Sequence, residues 1–153
     1  MQKKDLWIDK YDGKTYEELF NEGIELVEKN DCSVRAFSLC TDLPYSFCFN
    51  VLKANGRKDG RGLASAIILD VIQEFCEVKP LNIDTVKQQL KVNRVLPYHF
   101  LKYRKYFDAP IYLVFSNGHV FVVKDGLPYD WVRDYNIKVK RIYEIRKHDS
   151  YNG

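Results

Sequence analysis

Apolar residues recur along this chain with two different periods, and the change near Pro110 divides it into a helical stretch and a strand-forming one. Met1 to Tyr11 mixes charge with Leu6, Trp7 and Ile8 and reads as an arm or short strand ending at the Asp12-Gly13 turn. From Thr15, a capping residue followed by Glu17 and Glu18, the residues Leu19, Phe20, Ile24, Leu26 and Val27 give a helical stripe to Lys29. A second helix starts with Asp31 or Ser33 as cap, carries Val34, Ala36, Phe37 and Leu39, and stops near Thr41-Asp42. Pro44 opens a third that runs to Asn55-Gly56. Leu63 to Cys76 is the most apolar stretch and predicts the most buried helix. Lys79-Pro80 breaks it, and Leu81 to Val95 reads as a surface helix and loop.

Pro97 starts an amphipathic helix through Phe107 whose Lys102, Arg104 and Lys105 form a basic outer face, with the aromatics at helical spacing assigned to the core. After Pro110 the period becomes that of strands. Ile111 to Phe115, a Ser116-Asn117-Gly118 turn, His119 to Val123 and a Lys124-Asp125-Gly126 turn make an antiparallel meander, followed by strands at Leu127 to Trp131 and Val139 to Ile145. These elements predict an α+β fold in one domain, 1–153, with an arm and helix over 1–29, a helical half over 30–107, and an antiparallel sheet of about four strands over 110–147 on which that half packs.

Composition changes this picture little. With 153 residues, 46% of them hydrophobic and 14% aromatic, the chain can bury a real core. Four cysteines without paired spacing, and no N-terminal apolar run, predict reduced thiols in a cytosol and no membrane segment. A net charge of +3 is too small to argue for a nucleic-acid partner. Three dispersed histidines and no CxxC predict no metal site, and no cofactor is expected.

The candidate chemistry lies in Asn30-Asp31-Cys32-Ser33-Val34-Arg35-Ala36, which puts Cys32 in the first turn of a helix, where free N–H groups and the helix dipole favour a thiolate. An ionised Asp31 beside it works in the opposite direction. Cys40, Cys48 and Cys76 lie on apolar helical faces and read as small core residues. A thiol nucleophile needs a base, and the base needs an acceptor that fixes its tautomer. His119 at a strand start and Asp130 one strand later supply them in the order Cys32, His119, Asp130. Asp125 is the alternative third member, although its place in a Lys-Asp-Gly turn fits hairpin geometry. The oxyanion donors would be the N–H of Cys32 and the side-chain amide of Asn30. The loop Gly56-Arg57-Lys58-Asp59-Gly60-Arg61-Gly62 lacks the strand and GK[ST] ending of a phosphate-binding loop and reads as a solvated connection, with Arg57, Lys58 and Arg61 available to an anion or acidic partner.

The Cys32 motif, this glycine-spaced basic loop, and the strand pair Ile111 to Phe115 and Gly118 to Val123 with Asp125-Gly126 and Asp130 resemble a group of small phage-encoded proteins. That group resembles the papain-like cysteine peptidase superfamily in its Cys, His, Asp order. The resemblance spans Asn30 to Arg146 and implies a papain-like fold, Cys32 as nucleophile, His119 as base, Asp130 as its orienter, and a host protein or peptide substrate in the host cytosol. Where such peptidases carry a glutamine several residues before the cysteine, this chain has Glu28, Lys29, Asn30 and Asp31. Three functional readings follow, in this order: a cysteine peptidase or amidase, a catalytically inactive papain-like scaffold that binds a host protein, and a nucleic-acid or anionic-ligand binder using Arg57, Lys58, Arg61 and the Lys102-Arg104-Lys105 face.

Overall fold

The computed structural model describes residues 11, 13–24, 30–58, 62–129 and 137–148. The chain divides into two compact units, Met1–Glu74 and Phe75–Gly153. The described residues form six α-helices and a five-stranded antiparallel sheet, an α+β fold.

The first unit is helical: α1 Tyr16–Asn21, α2 Cys32–Thr41, α3 Tyr45–Ala54 and α4 Ser65–Gln73. Thr15 and Glu18 cap α1 reciprocally, the Thr15 hydroxyl accepting from Glu18 N and the Glu18 carboxylate from Thr15 N, both at 3.2 Å. Leu26, Val27 and Lys29 of the helix expected here lie outside the described residues, and α1 ends at Asn21 because Gly23 takes a left-handed φ of 70°. Its N–H donates to Phe20 O, and Ile24 N donates to Leu19 O, the hydrogen-bond pair of a Schellman stop. Between α2 and α3 the chain reverses through Asp42, at φ 59°, and Pro44. Ser38 holds this corner, since its hydroxyl accepts from Tyr16 N at 2.9 Å and donates to Leu43 O at 2.7 Å. Tyr45 N adds a bond to Lys14 O at 2.7 Å. Helix α4 buries only Ile68, Val71 and Ile72, fewer than α2 or α3, so it is a one-faced helix rather than the most buried one its composition predicts.

The second unit holds β1 Cys76–Leu81, α5 Ile83–Leu90, α6 His99–Lys102, a 3-10 turn Arg104–Tyr106, β2 Ile111–Ser116, β3 His119–Lys124, β4 Leu127–Tyr129 and β5 Arg141–Lys147. The strand order is β1-β5-β2-β3-β4. The sheet therefore takes in residues from Cys76 onward, and Cys76 itself lies in a strand, not on the helical face expected of it. Strand β1 is an edge, the position that tolerates the missing N–H of Pro80. Helix α5 is capped by Asn82, whose side chain accepts from Asp84 N and Thr85 N. Strands β2 and β3 are buried along most of their length on both faces, which is why their sequences read as continuous apolar runs. One face, with Tyr112, Val114, Phe121, Val123 and Ile142, packs on Val86 and Leu90 of α5 and on Phe100 of α6. The helix expected through Phe107 ends instead at Lys102, because Tyr103 leaves the helical region at φ −111°, ψ 42°.

The two hairpin glycines differ in surroundings. Gly118 has φ 70° with open space around it, whereas a Cβ on Gly126, at φ 79°, would lie 3.3 Å from the Leu101 backbone and 3.0 Å from its side chain. Gly118→Ala should lose about 1–2 kcal/mol, the cost of a left-handed L-residue, and Gly126→Ala should lose more. Urea denaturation of the two variants checks this. Equal losses would mean that the β3–β4 turn does not press on α6.

Candidate functional site

Cys32 is the first residue of α2 and is partly exposed, while Cys40, Cys48 and Cys76 are buried; all four are free thiols. Burial pushes the Cys48 thiol up to about 12 and the Cys76 thiol up to about 11. These two are packed core groups, as the apolar pattern around them predicts.

The residues before Cys32 are fixed by a polar network. Asn30 adopts a left-handed φ of 57°, a conformation asparagine tolerates, and Asp31 follows at the N-cap position. Asp31 does not cap the helix with its side chain. Its carboxylate, on a residue 3% exposed, accepts from the Tyr45 hydroxyl at 2.5 Å and pairs with Arg35 Nε at 2.9 Å. Burial raises the Asp31 carboxyl above its usual range; Arg35, the Tyr45 hydrogen bond and Arg57 oppose that shift. Tyr45 in turn is pushed well above the ordinary phenol range by burial and by the adjacent Asp31. Held in this way, the Asp31 carboxylate is countered by Arg35 on its own helix.

Arg57 corrects the expectation of a solvated anion-binding loop. It is 2% exposed, lies over the Phe49 ring at 5.4 Å, and donates to the carbonyl of Asn30 at 3.5 Å. The first cation of the glycine-spaced loop is thus folded inward as a support for the Asn30 turn. Lys58 is exposed, and Arg61 lies outside the described residues. Arg35 was legible as an i,i+4 partner of Asp31. Tyr45 and Arg57 come from separate elements and had no local signal.

His119 opens β3 opposite Ser116, and its ring stacks on Phe121 at 5.9 Å. Strand alternation puts it on the face that also carries Phe121 and Val123, the face packed by α5 and α6. Asp125 occupies the other end of β3, about 20 Å away for six residues of strand, so it cannot orient His119. Its partner is Arg104, at 3.8 Å. Asp130 lies outside the described residues. Cys32 belongs to the first unit and His119 to the second.

The second unit also contains a cavity of about 280 Å³, with Phe100, Phe107 and Tyr112 among its walls and Arg104, Asp108 and Asp125 as its charged groups. The Tyr112 hydroxyl accepts from Ala109 N at 2.9 Å, and burial pushes it up to about 12, so it keeps its proton at neutral pH. Nearby, His99 Nδ1 accepts from Leu96 N at 2.9 Å; burial, then Lys102, lowers its basicity and keeps the ring neutral. Among the described residues no group of three His, Cys, Asp or Glu side chains gathers as a metal site requires, and no helix is long and apolar enough to cross a membrane. No protein-family profile, curated protein or solved structure matches the chain.

Removing one member of a buried ion pair leaves the other without compensation and typically costs about 3–5 kcal/mol. Asp31→Ala should therefore destabilise the chain by about that amount, and Tyr45→Phe by the smaller ~1–3 kcal/mol of a lost partner to a buried acceptor. Chemical denaturation measures both. A loss below ~1 kcal/mol for Asp31→Ala would show that the network is not what fixes the Cys32 turn.

Proposed function

We propose that the chain is a cysteine hydrolase, a peptidase or amidase of papain-like arrangement, with Cys32 as nucleophile, His119 as base and Asp130 as the acceptor that orients it. The observation that carries this reading is the start of α2. Cys32 is its first residue, and the N-cap carboxylate is turned away to Arg35 and Tyr45 rather than capping the first turn. A helix start without that cap favours negative charge on a thiol and on the oxygen of an attacked carbonyl. The partial exposure of Cys32 among buried cysteines gives a substrate access to it.

In this reaction the Cys32 proton passes to His119 and the sulfur adds to the amide carbon. The amine leaves with the proton returned by His119, and water then cleaves the thioester to release the acid and restore the thiol. The substrate is a polypeptide or small amide, and a host protein or peptide in the cytosol is the expected source. A second reading, an inactive scaffold of the same kind that binds a host protein, is favoured by a different observation: the inward turn of Asp31, Arg35 and Arg57 gives this motif a structural role that needs no chemistry.

Alkylation of each cysteine followed across pH by peptide mass spectrometry separates the two. For the hydrolase, Cys32 should label at least about tenfold faster than Cys48 and Cys76 at neutral pH, since those thiols ionise only far above it. The advantage should fall in His119→Ala and partly in Asp130→Asn. If Cys32 is as slow as the buried cysteines, or if its rate is indifferent to His119, the hydrolase reading is lost and the scaffold reading stands.

A further inference from the structure

Between Tyr98 and Tyr106 the chain carries three tyrosines, Lys102, Arg104 and Lys105, and no acid. Helical spacing assigns Phe100, Leu101, Tyr103 and Tyr106 to the core, but the structure divides them. Phe100 is buried, whereas Tyr98, Leu101 and Tyr106 are 41%, 51% and 42% exposed. Three of the five large apolar side chains exposed among the described residues therefore belong to this one segment, the others being Phe47 and Leu127. Tyr98, Leu101 and Lys102 are spaced to share a helix face.

The cations lie over the rings. Lys102 Nζ lies 6.0 Å from the Tyr98 ring centroid and 5.3 Å from that of Tyr103, and Lys105 Nζ lies 5.1 Å from that of Tyr106. The flanking acids are engaged elsewhere, Asp125 with Arg104 and Asp108 with Arg146, each at 3.8 Å. Among the described residues neither Lys102 nor Lys105 is in an ion pair. The surface thus offers half-exposed rings with positive charge, outside any ion pair, held over them. A partner that matches both features carries planar rings on an anionic backbone. An acidic polypeptide would match the charge alone.

We propose that this segment, through Tyr98, Leu101, Lys102, Lys105 and Tyr106, binds single-stranded nucleic acid, with bases stacked on Tyr98 and Tyr106 and phosphates held by Lys102 and Lys105. The whole-chain charge of +3 does not argue against this, because the excess is local. The proposal rests on the second unit alone and is independent of what Cys32 does.

The test is fluorescence anisotropy of a labelled oligothymidylate with the full chain, titrated between about 50 and 200 mM salt. Two lysine–phosphate contacts predict that log K falls with log salt at a slope of about −1.4, at about −0.7 per contact on a single strand. Lys102→Glu with Lys105→Glu should bring the slope close to zero. Tyr98→Ala or Tyr106→Ala should weaken binding about fivefold or more per ring and leave the slope unchanged. Tyr98→Leu, which keeps apolar bulk without a ring, should behave like the alanine variant provided its melting curve matches the wild type. The proposal is overturned by a flat salt profile. It is equally overturned if the tyrosine variants bind as wild type and polyglutamate displaces the oligonucleotide, which would make this a site for acidic polypeptides.

Discussion

A carboxylate taken out of water at the start of a helix constrains how the first unit can be built. Moving such a charge inward costs several kcal/mol even after relaxation, and the cost is tolerable only where good partners meet it. Asp31 has them in Arg35, one turn along its own helix, and in Tyr45, the first residue of the next helix. The pairing therefore fixes more than one side chain. It ties the start of α2 to the start of α3, while the Ser38 bonds hold the corner joining the two helices and tie it to α1. Two polar connections at different points of a helix hairpin define one register, which apolar packing alone specifies loosely.

The same network explains why the cysteine motif and the glycine-spaced loop occur together. Arg57 reaches back to the carbonyl of Asn30, the residue held at positive φ immediately before the acid. A left-handed residue that is not glycine costs about 1–2 kcal/mol, and a buried guanidinium bonded to its carbonyl helps to retain it. Phe49 beneath the guanidinium supplies a surface that a lysine would use less well, since a planar cation stacks where an ammonium does not. The loop's first basic residue thus belongs to the architecture around Cys32, and its remaining cations are a separate matter.

Much of the fold was legible because its signals are local. Thr15 with Glu18, Pro44 after Asp42, and the Asn117-Gly118 and Asp125-Gly126 turns each encode their geometry within four residues. What escaped was set at a distance or by a single residue. Gly23 ended α1 within a stripe that still read as helical. β1 alternates over Cys76, Val78 and Pro80, but it follows an apolar helix without a clear turn signal and is stabilised by β5, some sixty residues later in the chain. Of the candidate site, the position of Cys32 at a helix start was readable from its flanking polar residues. The inward turn of Arg57 was not, because a glycine-rich basic loop has the same composition whether its arginine faces water or a phenylalanine ring. Asp125 failed as a partner for His119 for a geometric reason that strand length alone supplies.

The break after Lys102 shows how core packing can create a surface feature. In an uninterrupted α-helix Phe100 and Phe107 would be separated by about 10 Å along the axis, whereas their ring centroids lie 4.6 Å apart. Ending α6 at Lys102 and turning through Arg104–Tyr106 folds Phe107 back against Phe100 and brings both onto Tyr112. The tightened turn also changes which side chains face outward. Tyr106, at the end of that turn, is left exposed, while Tyr103 before it stays partly buried against the core. The exposed tyrosines with their lysines are therefore a consequence of closing the aromatic core. Replacing them would cost that core little, which is what makes this face separable from the fold that presents it.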